Sequence, residues 1–188
     1  MFSLRRSVLP AVLAVLTAAG AANADLKCSK TATYKVKAAA KPKIGPRLKF
    51  DGEGPVTGEE KGGKLIFTAK LNDIDMGERN KHTRKYFRIK KDSEAKLTVD
   101  RGALKIPDDK KSVSGVVQGK LQLNGKEKPV KVKYKAKRSG SEFEVSDTSF
   151  TFKYTDFGIE EICEFVGTIC VEPEVTITVD KMTLKDNK

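Results

Sequence analysis

The chain has 188 residues, a net charge of +12, 33% charged residues, no tryptophan and a single histidine. This length suits one folded domain, and the basic balance admits anionic partners without specifying one. Three cysteines, Cys28, Cys163 and Cys170, with one histidine make a poor zinc site.

Residues 1–24 read as a secretory signal peptide: Arg5 and Arg6 precede an apolar run from Val8 to Ala19, and Ala22-Asn23-Ala24 offers a small-x-small cleavage site. The run is short for a membrane span and is broken by Pro10, and no other stretch approaches membrane length. Lys27 before Cys28 argues against a lipoprotein site. The expected mature domain is 25–188, in the periplasm or secreted. In such a compartment cysteines oxidise. Cys163 with Cys170 is the favoured pair, because Gly167 between them helps a turn, and Cys28 with either is the competitor.

Thr31 to Ala38 alternates with Tyr34, Val36 and Ala38 on one face, and Pro42 and Gly45-Pro46 interrupt the pattern. Arg47 to Asp51 reads as a short strand with Leu48 and Phe50 inward, and Gly52 to Gly63 as a turn region. Within it, Gly58-Glu-Glu-Lys-Gly-Gly63-Lys64 matches most of a phosphate-binding loop. It fails where Leu65 replaces the Ser/Thr and begins a strand rather than a helix. Lys64 to Leu71 is a strand, with Leu65, Phe67, Ala69 and Leu71 on one face. Glu78 to Phe87, approached through Met76 and Gly77, is the one helix expected.

Strands resume at Ala95, with Leu97 and Val99 inward. Gly115 to Lys137 follows: two alternating runs around Asn124-Gly125, the strongest short-range hairpin signal. Val117, Leu121 and Leu123 share a face with Val130, Val132, Tyr134 and Ala136, while Lys131, Lys133, Lys135 and Lys137 point away. Ser139-Gly140-Ser141 marks another turn. The phase of Phe143 and Val145 flips before Phe150, Phe152 and Tyr154, predicting a bulge near Asp147. Val175, Ile177 and Val179 belong to the last strand, with Met182 and Leu184 flipped again.

About eight strands, each apolar on one face, must close into a barrel or pair as a sandwich. The lysines alternate along strands rather than forming a dense run, as on a solvated sheet face, and Phe67, Tyr134, Phe150 and Phe152 fall on the apolar side. Nucleic-acid binding would want those aromatics among the exposed basic residues. A basic domain gripping anionic envelope polymer or nucleic acid is therefore the second reading. His82 as a general base lacks a nucleophile elbow or reactive cysteine beside it, and no carboxylate pair stands out as acid and base.

Four motifs in order resemble the YceI-like proteins. Asp73-Ile-Asp-Met-Gly77 resembles a turn that commonly reads D-T-G, and Arg79-Asn-Lys-His82 resembles an R-D-x-H helix, with Asn80 in place of Asp. Gly119 to Gly125 followed by Lys128-Pro-Val130 resembles G-x-L-x-x-x-G with K-P-V, and Asp156-Phe-Gly-Ile159 resembles D-F-G-I. The segment Cys163 to Cys170 looks like a local elaboration. The resemblance implies an all-β, eight-stranded antiparallel lipocalin-like barrel with one short helix. It implies no enzyme activity and no cofactor, and a long-chain lipid or isoprenoid as partner, with nothing to exclude a homodimer. The implied cavity residues are Phe67, Leu71, Val117, Leu121, Val132, Tyr134, Phe150, Phe152 and Ile177, with Phe87 and Phe157 at the mouth or plug and His82 and Arg84 toward a head group. A packed core explains the same apolar residues equally well on sequence alone.

Overall fold

The computed structural model describes residues 26–28, 31–87, 89–90, 93–105, 107–108, 110–164 and 166–186, and the signal-peptide expectation at 1–24 lies outside them. The strands are β1 (Leu26–Cys28), β2 (Ala32–Pro42), β3 (Leu48–Lys61), β4 (Lys64–Lys70), β5 (Glu94–Asp100) and β6 (Ser112–Leu123). They continue with β7 (Lys126–Ser139), β8 (Glu142–Lys153), β9 (Cys163–Glu164), β10 (Ile169–Val171) and β11 (Glu174–Asp186). One short helix, α1 (Asn80–Tyr86), lies between β4 and β5.

Strands β2 to β8 form an antiparallel meander, β11 pairs with β8, and β11 also pairs with β2. The last pairing, from Thr176↔Lys37 to Val179↔Tyr34, closes an eight-stranded barrel. β1 extends the seam by pairing with β11 and touching β3, and β9–β10 adds a small flap on the far end of β2. The hairpin at Asn124-Gly125 forms as expected: both turn residues have positive φ, 50° and 73°, as a type I′ turn requires. Its register places Val117 opposite Val132, and both are buried. The flip near Asp147 is also present, with Asp147 at φ 48° and the β7–β8 register slipping between Lys133 and Lys135. β8 and β11 keep one register on either side of it, so both strands turn over together and Val145 meets Met182.

The glycine-rich stretch differs from expectation. Gly52 to Lys61 is not a turn but the second half of β3, paired first with β2 and then with β4. Only Gly62 and Gly63 turn, so the phosphate-loop match is a β-hairpin tip. The strand glycines serve packing: a Cβ on Gly54 would lie 2.9 Å from the Tyr34 ring, and one on Gly58 2.9 Å from Phe67. Gly115 stands opposite Tyr134 in the same way. Leu48, expected inward, is 39% exposed, because β3 begins at the barrel rim. Leu71 ends in a 3-10 turn, Leu71–Asp73, and a second such turn, Gly77–Arg79, leads into α1.

That start of α1 is built by side chains. Asp75 Oδ1 accepts from Gly77 N at 2.8 Å and from Asn80 Nδ2 at 3.0 Å, while Asn80 Oδ1 accepts from Met76 N at 2.6 Å. The bonds to Gly77 and then to Asn80 hold the Asp75 carboxyl below its ordinary value.

The tight fit of ring on glycine yields a prediction. In Gly115→Ala the new methyl meets Tyr134, whose hydroxyl is tied to Lys105 and cannot swing away. A loss of about 1–3 kcal/mol is expected from such overpacking, measured by urea unfolding.

Candidate functional site

The inward positions of the barrel carry many small residues. Ala38 and Ala40 on β2, Ala69 on β4, Ala95 on β5 and Ala136 on β7 all face the interior. An eight-stranded barrel is near the width at which side chains either fill it or leave room for one ligand. Here they leave a cavity of about 540 Å³. That is within the range of small-molecule sites.

The wall is mostly aliphatic and aromatic. Of the residues singled out in the sequence, Phe67 on β4 and Leu71 after it line the cavity, as do Val117 and Leu121 on β6. Val132 and Tyr134 on β7, Phe150 and Phe152 on β8, and Ile177 on β11 complete the set. Phe150 and Phe152 stack with centroids 6.3 Å apart. Phe157 departs from expectation: it is 1% exposed and lies behind the wall, meeting Phe152 edge-on at 5.5 Å rather than plugging the mouth.

One end is closed by the segment after β5. Leu104 and Lys105 line the cavity there, and Lys105 N donates to Tyr134 Oη at 2.8 Å. Glu60, buried within β3, faces Arg101 Nε at 3.4 Å, and Arg101 and Arg138 both lie over the Phe143 ring.

The other end carries α1. His82, Thr83, Tyr86 and Phe87 line the cavity from that side, and Ile162, Glu164, Ile169 and Val171 line it from the β9–β10 flap. Cys163 and Cys170 form the expected disulfide across this flap. Tyr154, fully buried after β8, ties the flap down: its hydroxyl donates to Val171 O at 3.0 Å and accepts from Ile162 N at 3.3 Å. Its ring also packs edge-on against Phe87.

Glu164 joins the two halves of this end. Its Oε1 accepts from the Tyr86 hydroxyl at 2.6 Å and lies 3.1 Å from His82 Nδ1. Tyr86 and His82 are four residues apart and so share a helix face. Arg84 faces elsewhere: it donates to Asn72 O at 3.1 Å and does not line the cavity. Glu164, Tyr86, Glu60 and Arg101 were not singled out in the sequence. The spacing of His82 and Tyr86 was the one local signal available for the first pair. Among the described residues no group of three or more His, Cys, Asp or Glu side chains could hold a metal ion, and no helix is long and apolar enough to cross a membrane.

The YceI-like domain family matches residues 26–182, nearly the whole described chain. The chain belongs to the YceI-like family. Its fold is similar to that of a polyisoprenoid-binding domain from Saccharophagus degradans implicated in plant cell wall breakdown. The TM-score is 0.63 at 15% identity, with 86% of this chain and 98% of that one covered. It is also similar to BcnA of Burkholderia cenocepacia, with a TM-score of 0.51 at 19% identity over 80% and 94% of the two chains. None of the curated proteins matches the chain in sequence. The lipocalin-like barrel inferred from the motifs is thus the family's own, and the flap bridged by Cys163 and Cys170 is part of this YceI-like cavity's mouth.

The Glu164 contacts give a pH dependence with a definite sign. The Tyr86 hydrogen bond first, and His82 second, hold the Glu164 carboxyl below its ordinary value. A carboxylate so depressed contributes fully above its unfolded value of about 4.3 and is lost as pH falls through the lower folded value. Amide exchange in α1 should therefore rise selectively as acid protonates Glu164. In Tyr86→Phe the Glu164 carboxyl resonance should titrate at higher pH than in the wild type.

Proposed function

We propose that this YceI-like domain is a non-enzymatic carrier or store for a long-chain apolar lipid of polyisoprenoid type, acting in the bacterial periplasm. The observation that carries the reading is the hollow interior: about 540 Å³ lined mostly by apolar side chains. Burial there contributes about 0.8 kcal/mol per CH₂, so a long chain binds well with few polar contacts. The likeness to a polyisoprenoid-binding domain supports the same ligand class. The periplasmic setting rests on the signal-peptide pattern of residues 1–24 and accords with the Cys163–Cys170 disulfide.

Loading would run through the α1 end, where His82 and Glu164 are among the polar side chains that line the cavity and would face a protruding head group. Arg84 is occupied by Asn72 O and takes no part in this reading. The outward lysines fit a solvated exterior, since Lys120, Lys135 and Lys181 pair with Glu127, Asp147 and Glu144.

Protein purified without detergent, extracted with organic solvent and analysed by mass spectrometry should yield a long-chain lipid near equal stoichiometry. A clean extract, together with no rebinding after delipidation, overturns the carrier reading. Val132→Trp places a large ring in the wall opposite Val117. It should lower lipid occupancy severalfold while circular dichroism remains that of the folded barrel.

A further inference from the structure

Among the described residues, the large apolar side chains left exposed are Ile44, Leu48, Val116 and Val166. Single exposed apolar residues are ordinary on any surface. Three of these four, however, stand together at the α1 end. The flap strand β10 pairs with the end of β2, Ile169 against Pro42, and Lys43 N donates to Thr168 O at 2.9 Å. The β2–β3 loop carrying Ile44 and the flap tip carrying Val166 therefore project side by side, beyond the cavity residues Ala40, Ile169 and Val171. Leu48 stands at the start of β3, opposite Ala40. Ile44 is 93% exposed and Val166 fully so.

Folding does not explain a valine at 166. Val166 and Gly167 have φ of 54° and 75°, close to the 50° and 73° of Asn124 and Gly125. In the β6–β7 turn that demand is met by asparagine, which accepts the left-handed region, whereas a β-branched residue takes it poorly. Valine at the flap tip thus strains the backbone and, being exposed, packs against nothing. The loop beside it is basic. Lys41, Lys43 and Lys49 are exposed and, among the described residues, have no acidic partner, whereas Arg47 is held by Glu172. The acids on the approach to the flap, Glu160, Glu161 and Glu164, precede the tip, and Glu164 is bound to Tyr86 and His82.

We propose that this rim docks on the surface of a bilayer bearing anionic head groups, with Ile44 and Val166 entering the interface and Lys41, Lys43 and Lys49 meeting the phosphates. Apolar side chains flanked by cations are the combination that binds such interfaces. Docked in this way, the α1 end of the cavity faces the bilayer. The inference goes beyond the carrier reading and stands on the rim alone, whatever the cavity holds.

The test is sedimentation of the purified protein with vesicles of phosphatidylcholine, alone or mixed equally with phosphatidylglycerol. Binding to the mixed vesicles should be tighter by about 10-fold or more. Ile44→Ser with Val166→Asn should lose about 10-fold of it, although asparagine suits the left-handed position and circular dichroism remains that of the folded barrel. Lys41→Gln with Lys43→Gln should lose about 5- to 20-fold, and Lys133→Gln with Lys137→Gln, on the outer face of β7, under about 2-fold. The chain has no tryptophan, so one that is introduced reports its own surroundings. The emission of Ile44→Trp should shift to the blue on mixed vesicles and be quenched by lipids brominated in their acyl chains, while that of Val116→Trp on β6 should not. No binding to mixed vesicles overturns the docking rim, and so does an Ile44→Trp emission that vesicles leave unchanged. Equal loss from the two lysine pairs assigns binding to the basic exterior as a whole and overturns it too. Self-association in place of vesicle binding, abolished by Ile44→Ser with Val166→Asn, makes the rim an interface between copies and overturns the proposal as well. None of these results bears on recovery of lipid from the cavity, by which the carrier reading is judged separately.

Discussion

In an eight-stranded barrel, what stands at the inward positions decides between a plugged and a hollow interior. Alanines on β2, β4, β5 and β7 withhold the volume that leucines would supply. Glycines on β3 and β6 let Tyr34, Phe67 and Tyr134 lie against the wall instead of reaching across the centre. The cavity follows from this choice, and so does its apolar character. The two ends are then finished with different chemistry. The segment after β5 is bound through Tyr134 and buttressed by Glu60, Arg101 and Phe143. The α1 end is joined through exposed or half-buried polar groups, Tyr86, His82 and Glu164. Polar contacts at a solvated rim are weak and reversible compared with burial in the wall. The α1 end is therefore the one suited to opening.

Much of this architecture was legible from alternation alone. The hairpin at Asn124-Gly125, the strands around Phe67 and Leu97, and the reversal near Asp147 follow from side-chain period and turn chemistry. The stretch from Gly52 to Gly63 misled because glycine has two uses. It marks a turn where φ must be positive, as at Gly62 and Gly63, and it marks a close approach where a ring must lie on the strand, as at Gly54 and Gly58. Local sequence does not separate the two, since the ring that needs the space is on another strand. Glu60, read as part of a charged turn, is buried for the same reason.

The candidate site was legible in its wall and obscure at its ends. Nearly every inward residue singled out lines the cavity, because period-two alternation decides which face a side chain takes. Whether those residues enclosed space or filled it was invisible, being a matter of summed volume across all eight strands. Phe157 was misplaced because it sits in a 3-10 turn, where no long period tells direction, and Arg84 because it falls on the part of α1 that does not line the cavity. Glu164 went unnoticed because its partners on α1 lie about eighty residues away in sequence.

The seam between β2 and β11 has a consequence for how the molecule comes into being. Lys35 and Asp180, which form an ion pair across it, are separated by 145 residues. Joining such distant segments is entropically costly, and chains dominated by distant pairings fold slowly. Without β11 the meander β2 to β8 would be an open sheet with its apolar face toward water, the kind of surface that aggregates. Pairing of the 13-residue β11 with β2 is thus what turns the sheet into an enclosed space.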